Sequence, residues 1–272
     1  MIVTRFAPSP TGFLHLGHAF AAYNAWKRAR DADGRFLLRL EDIDPTRCRP
    51  EYADAIQEDL AWLGLDWDGP ARVQSRHLPE YQAALNQLAQ RGLVYPCFCT
   101  RADIAASTVA PHGPDGATLY PGTCRRRSPF ERADRIATGQ RFALRLDMTA
   151  ATRSDLSYSE EAIGRIACHP ERFGDVVLAR KDAPASYHLC VTHDDAVQGV
   201  TLVTRAVDLG PATDLHRLLQ ELMGWPTPVY SHHRLLTDDA GKRLAKRDKA
   251  VTLRSLRAEG VSARAIISRL NQ

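Results

Sequence analysis

The chain has 272 residues, 25 % charged and 44 % apolar, which suits one sizeable domain with an insertion and argues against disorder. Its formal net charge of +4 permits a nucleic-acid partner without demanding one. Arg5, Pro8 and Pro10 stand where a secretion signal needs an apolar core, and no apolar run approaches a membrane span, so a cytoplasmic protein with no membrane partner is expected.

Residues 1–7 read as a short strand, closed by Pro8 and Pro10. A helix is predicted over 15–30, where Leu16, Phe20, Tyr23 and Trp26 recur at three- or four-residue intervals on one face. Residues 36–40 read as a second strand, ending in the acidic run Glu41-Asp42-Ile43-Asp44. Strand, helix, strand is the start of a parallel sheet, and Leu78, Tyr81, Leu85 and Leu88 mark a further helix. Over 94–172 the character changes to a cysteine cluster, a Pro/Gly-rich loop and the triplet Arg125-Arg126-Arg127. This stretch is read as an insertion in an α/β domain formed by 1–93 and 173–272. The sheet pattern returns at 175–179 and 200–204, before a helix over 213–223 and two short helices at 253–259 and 263–270.

His15 and His18 stand where the first loop becomes the first helix. A helix N-terminus offers backbone N–H groups and partial positive charge to an anion, so imidazoles added there can meet phosphate oxygens. Gly17 between them removes a side chain where a base or ribose would approach. Six cysteines in a cytoplasmic chain point to metal or burial instead of disulfides. Cys97, Cys99 and Cys124 suit three corners of a tetrahedral structural zinc site, and His112 is a fourth-ligand candidate. Cys48, Cys168 and Cys190 are scattered and read as small buried hydrophobes. Arg125 to Arg127 and the run from Lys242 to Lys249 are either solvated charge or phosphate contacts.

The run Arg5-Phe6-Ala7-Pro8-Ser9-Pro10-Thr11-Gly12 with His15-Leu16-Gly17-His18 resembles the first signature of class I aminoacyl-tRNA synthetases, in the glutamyl branch. Leu38-Arg39-Leu40-Glu41-Asp42-Ile43-Asp44-Pro45-Thr46-Arg47 is similar to that branch's second signature. Gly241-Lys242-Arg243-Leu244-Ala245-Lys246-Arg247 resembles the lysine loop, with Arg243 in place of its first lysine and Ala245 in place of its serine. The resemblance implies a Rossmann-like parallel sheet that uses ATP, with magnesium, to make glutamyl-adenylate. His15, His18 and Lys246 would stabilise charge, and Gly17 would join them at ATP. It implies a glutamate pocket of Arg5, Phe6, Ala7, Pro8, Ser9, Glu41, Tyr187 and Arg205. Taken alone, Tyr187 reads as a strand aromatic and Arg205 as a solvated charge. In the insertion, the resemblance favours Tyr120 beside Cys97, Cys99 and Cys124 as a zinc ligand.

Only about twenty-five residues follow the lysine loop, so no anticodon-reading domain is expected. That architecture resembles the short members of the family, which place glutamate on queuosine in the anticodon loop of tRNA(Asp). The expected partners are L-glutamate, ATP and the tRNA(Asp) anticodon stem-loop, with activation independent of tRNA in a monomer. A minimal synthetase that charges the terminal adenosine, or a non-catalytic tRNA-binding relative, are the alternative readings.

Overall fold

In the computed structural model of the chain, residues 1–106, 113–114, 116–236 and 251–271 are described. β1 (Val3–Phe6) is buried at every position, the mark of an interior parallel strand. It ends before Pro8 and Pro10, which have no backbone donor to continue a ladder. α1 (Leu16–Arg30) buries Leu16, Ala19, Phe20, Ala22, Ala25 and Ala29, and gathers Lys27, Arg28 and Arg30 in its last turn, where the helix dipole favours cations. β2 (Arg35–Leu40) runs parallel to β1, with Val3 opposite Arg35 and Phe6 opposite Leu38. α2 (Pro50–Leu63) opens on proline and stops at Gly64, whose φ of 75° closes the helix without a Cβ penalty. β3 (Arg72–Val73) pairs parallel with β2, and α3 (Leu78–Gln90) buries Tyr81, Ala84, Leu85 and Leu88.

The described elements that follow are β4 (Val94–Cys97), α4 (Arg101–Ala106), α5 (Pro129–Ala137), β5 (Ala143–Leu146), α6 (Met148–Ala151), β6 (Ser157–Glu160), β7 (Gly164–Ala167) and β8 (Val177–Ala179). They lead to α7 (Tyr187–Val197), β9 (Leu202–Ala206), α8 (Ala212–Met223), β10 (Val229–His233), α9 (Leu253–Ala258) and α10 (Ala263–Leu270). The strand expected at 175–179 exists as β8, but it pairs antiparallel with β5 in a sheet of order β4-β5-β8 and does not extend the parallel sheet. The β6–β7 hairpin instead joins the parallel strands: β6 pairs with β10 through Glu160 and Tyr230, and β10 runs parallel to β9. The two parallel groups meet edge to edge, since Thr201 N–H donates to Val3 O and Val3 N–H to Thr201 Oγ1, both at 2.9 Å.

Two hydrophobic cores flank this sheet. One packs β1, α1, β2 and α2 together with Leu253, Ile266 and Leu270, so α9 and α10 fold back onto the N-terminal layer. The other joins α3, α7 and α8 to Leu146, Met148, Ala151 and Phe173. Thr252 bridges to His15, and Leu253 N–H donates to Leu14 O at 2.8 Å. Among the described residues, no helix is long and apolar enough to cross a membrane.

Candidate active site

The ends of β1, β2 and β9 and the first turns of α1 and α7 enclose a cleft of about 490 Å³. This is the place where an open parallel sheet receives ligands. Arg5, Phe6, Ala7, Pro8, Ser9, His15, Gly17, His18, Glu41, Tyr187 and Arg205 all line it. Arg243, Ala245, Lys246 and His112 lie outside the described residues. Both described flanks of 237–250 stand at the cleft, because Leu235 and Leu236 line it and Thr252 bridges to His15.

His15 caps α1. Its Nδ1 accepts the Gly17 N–H at 3.0 Å, while His18 Nδ1 accepts the His15 N–H at 3.2 Å. This reciprocal arrangement is a capping box built from two imidazoles in place of a hydroxyl and a carboxylate. Since both Nδ1 atoms accept, the proton of each neutral ring is on Nε2. The rings lie 3.8 Å apart, centroid to centroid. Gly17 lines the cleft and also has a packing role. A Cβ there would meet His15 Cε1 at 2.9 Å, so the glycine is required by the packing of the capping ring.

The floor of the cleft is a network of buried charge. Arg39 is fully buried; its Nη1 donates to Asp195 Oδ1 at 2.8 Å and to Gln198 Oε1 at 3.0 Å, and Nε and Nη2 point to Glu41 Oε1 at 3.4 and 3.3 Å. Arg5 forks onto Asp195 through Nε at 2.9 Å and Nη2 at 3.4 Å, and gives Nη1 to Thr204 O at 3.2 Å. Asp194 accepts from Arg72 at 3.0 Å, Gln74 at 2.9 Å and Tyr81 at 2.9 Å. Burial pushes Asp195 upward, but Arg5 and Arg39 outweigh it and hold the carboxyl below its ordinary range. Glu41 goes the other way: burial dominates over Arg39 and Arg5 and raises it to about 7. Arg39, Asp194 and Asp195 were not singled out from sequence. An arginine inside Phe36-Leu37-Leu38-Arg39-Leu40 was the available signal, since a buried guanidinium requires partners.

Tyr187 is not on a strand. Ser186 caps α7 by accepting the Leu189 N–H, which puts Tyr187 in the first turn and 37 % exposed at the cleft. Nor is Arg205 a solvated charge, being 5 % exposed on β9. Its Nε donates to His232 Nε2 at 3.2 Å, Nη1 pairs with His216 Nδ1 at 3.1 Å, and Nη2 bonds to Thr213 Oγ1. A second cavity of about 340 Å³ shares Ser9, Glu41 and Tyr187 with the first and reaches Asp44, Arg47 and Arg180.

Away from the cleft, the thiols of Cys97, Cys99 and Cys124 lie within 4.8 Å of one another, placed so that they could hold a metal ion. Cys99 Sγ is 3.6 Å from Cys124 Sγ and 3.5 Å from Tyr120 Oη. Tyr120 Oη accepts the Cys124 N–H at 2.7 Å, and the Arg145 guanidinium covers the tyrosine ring at 4.0 Å. Burial pushes the Cys124 thiol up, but hydrogen bonds involving Tyr120, the Phe98 N–H and Cys99 outweigh it and bring it to about 6.

Known proteins are similar to this chain over most of its length. A glutamyl-Q tRNA(Asp) synthetase of Rhodobacter capsulatus is 51 % identical over 276 residues, covering 96 % of each chain. One of Nocardia farcinica is 45 % identical, over 98 % of this chain and 82 % of that one. A glutamate–tRNA ligase of Aquifex aeolicus is 36 % identical over 99 % of this chain but 56 % of its own length. The crystal structure of a glutamate tRNA ligase from Elizabethkingia meningosepticum, in complex with its amino acid, superposes with a TM-score of 0.77 at 28 % identity. That match covers 91 % of this chain, which spans about half (52 %) of the other. The chain matches the family of class I tRNA synthetases (E and Q), catalytic domain, over residues 1–272, and it belongs to that family.

Proposed function

We propose that the protein is a ligase-type enzyme that activates L-glutamate with ATP and transfers the glutamyl group to queuosine in the anticodon loop of tRNA(Asp). The observation that carries this reading is the single cleft that gathers Arg5, Glu41, Tyr187 and Arg205 opposite the His15–His18 end of α1. Glutamate brings one ammonium and two carboxylates, and the cleft offers one buried acid and the positive charge of two guanidinium groups, Arg5 and Arg205. The α-carboxylate attacks the α-phosphorus of ATP, the bond to pyrophosphate breaks, and glutamyl-adenylate forms. The Nε2–H groups of His15 and His18, at a helix N-terminus, suit oxygens that gain charge in that step. Lys246 is assigned to the leaving pyrophosphate by resemblance, and both flanks of its loop stand at the cleft. A ring hydroxyl of queuosine then attacks the glutamyl carbonyl and AMP leaves. The second cavity, which shares Ser9, Glu41 and Tyr187 with the first, is the approach we assign to the acceptor.

Activation needs no RNA in this reading, because the ion pairs that shape the pocket are made by the chain's own residues. The choice of queuosine rests on similarity to the Rhodobacter and Nocardia relatives. Glutamate-dependent ATP–pyrophosphate exchange, with and without tRNA, tests the first step. For the second, tRNA(Asp) with and without queuosine is charged with labelled glutamate and digested to nucleotides. Label in the anticodon nucleotide is expected; label on the terminal adenosine would assign the chain as a minimal glutamate–tRNA ligase.

We also assign Cys97, Cys99, Tyr120 and Cys124 as ligands of one structural zinc. Zinc–sulfur bonds of about 2.3 Å in a tetrahedron put sulfurs about 3.8 Å apart; Cys99 and Cys124 are already at 3.6 Å. The ion would tie β4 to the segment around Cys124 and take no part in the chemistry.

A further inference from the structure

We infer that His216 and His232 set the preference of the cleft for an acid over its amide, by holding Arg205 through neutral imidazole nitrogens and leaving its charge for the ligand's carboxylate. The inference rests on the proposed role of the cleft as a glutamate pocket and adds the residues that tune Arg205. The other arginines of this network are matched by carboxylates: buried Arg5 by Asp195, buried Arg39 by Asp195 and Glu41, half-buried Arg72 by Asp194 and Glu80. Arg205 has no ion pair with a carboxylate among the described residues. Its acceptors are His232 Nε2, His216 Nδ1 and the Thr213 hydroxyl.

The hydrogen bonds settle the tautomers. His232 accepts from Arg205 on Nε2, so its proton is on Nδ1, where it donates to Glu160 Oε2 at 2.6 Å. Glu160 also accepts the His232 backbone N–H at 3.0 Å, so it serves the ring and stands one imidazole away from Arg205. His216 accepts on Nδ1 and carries its proton on Nε2, 3.2 Å from His188 Nδ1. Burial, then the Arg205 charge, hold His216 far below the ordinary histidine range, which keeps it neutral. The three bonds pin the guanidinium plane, while Nη1 and Nη2 each retain a second hydrogen with no partner among the described residues. A carboxylate can take both at once; an amide offers one acceptor and no charge. His216 and His232 are positioning residues, acting through Arg205.

The test compares His216→Asn with His216→Asp. Asparagine puts Oδ1 where Nδ1 stands and aspartate puts a carboxylate oxygen there, so the pair differs by one charge at nearly constant shape. Glutamate- and glutamine-dependent ATP–pyrophosphate exchange is measured for each, with glutamate binding by calorimetry in the absence of ATP. His216→Asn should keep the glutamate KM within about threefold. His216→Asp should raise it about tenfold or more and leave the glutamine KM unchanged, the gap between hydrogen bonds to charged and to neutral groups. Equal losses in both variants, or an unchanged glutamate preference in His216→Asp, overturn the inference. Should His216→Asp fail to fold, His232→Gln against His232→Glu makes the same comparison at the other end of the fork. Absence of glutamate-dependent exchange in the wild type would overturn the proposed activity instead, and calorimetry would still report on the histidines.

Discussion

Lowering the pH from about 8 to about 6 is expected to weaken glutamate binding about tenfold through Glu41. Its carboxyl stands at about 7 against an ordinary 4.5, because burial outweighs the pull of Arg39 and Arg5, and Asp195 and Asp194 push the same way as burial. The ammonium of glutamate needs the ionised form. That form falls from roughly nine tenths to one tenth of the population across this interval, while the ammonium itself stays charged. The KM for glutamate, measured by exchange at saturating ATP and constant ionic strength, should therefore rise as the pH drops below about 7. Glu41→Gln should bind glutamate poorly and lose the slope.

The same shift has a sign for stability. A folded-state acid raised above its unfolded value binds its proton more tightly in the fold. The favourable contribution is complete below about 4.5 and is lost as the pH climbs to about 7. By about pH 8 the ionised group costs the unliganded protein on the order of 3 kcal/mol, which a bound ammonium offsets. Glu41→Gln is accordingly expected to unfold in urea no earlier than the wild type at about pH 8. A glutamate KM that is flat from about pH 8 to about pH 6, or a slope that survives in Glu41→Gln, would refute the reasoning.

Arg39→Met should destabilise the fold by about 3–5 kcal/mol, since it leaves Asp195 and Glu41 buried without their shared cation; a urea midpoint close to wild type would count against the network. Protein purified without chelator should carry one zinc, lost in Cys124→Ser; Tyr120→Phe should retain it less well than His112→Ala, and the reverse order would move the fourth ligand to the histidine. Lys246→Ala should slow activation by about one to three powers of ten with glutamate affinity little changed, whereas a severe Arg243→Ala beside a mild Lys246→Ala would shift the register of that loop.

What could be read in the sequence was what neighbours in the chain decide. Pro8 and Pro10 stop β1, apolar spacing marks α1 and α3, and the two long signatures run through the residues that line one wall of the cleft. α2 is equally local, with proline at its start and Gly64 at its end. α7 was harder. Leu189 to Asp195 are all buried, so the helix shows no polar face and no period to detect. β8 looks like any short apolar strand, and only its pairing with β5 shows which sheet it serves.

The charged residues show why the rest of the site stayed hidden. Arg39 sits in an apolar strand and Asp194-Asp195 in an apolar helix, and, beyond the pairing of Arg39 with Glu41 two residues on, each is a demand for a buried partner that the local sequence cannot meet. Those demands are answered across more than a hundred residues, 156 in the case of Arg39 and Asp195. The partner is chosen by the edge-to-edge meeting of β1 with β9 and by α7, whose Asp195 takes both Arg5 and Arg39, and no spacing rule encodes that. Arg205 is the instructive contrast. Its partners His216 and His232 are 11 and 27 residues away, yet nothing in a histidine's identity says that it will accept and not donate. The tautomers follow from what stands behind each ring, Glu160 at one and His188 at the other. A carboxylate in either place would have satisfied Arg205 within the fold. On the inference drawn above, neutral acceptors leave the completing charge to the ligand, so selectivity for an acid would belong to His216 and His232 as well as to the arginine.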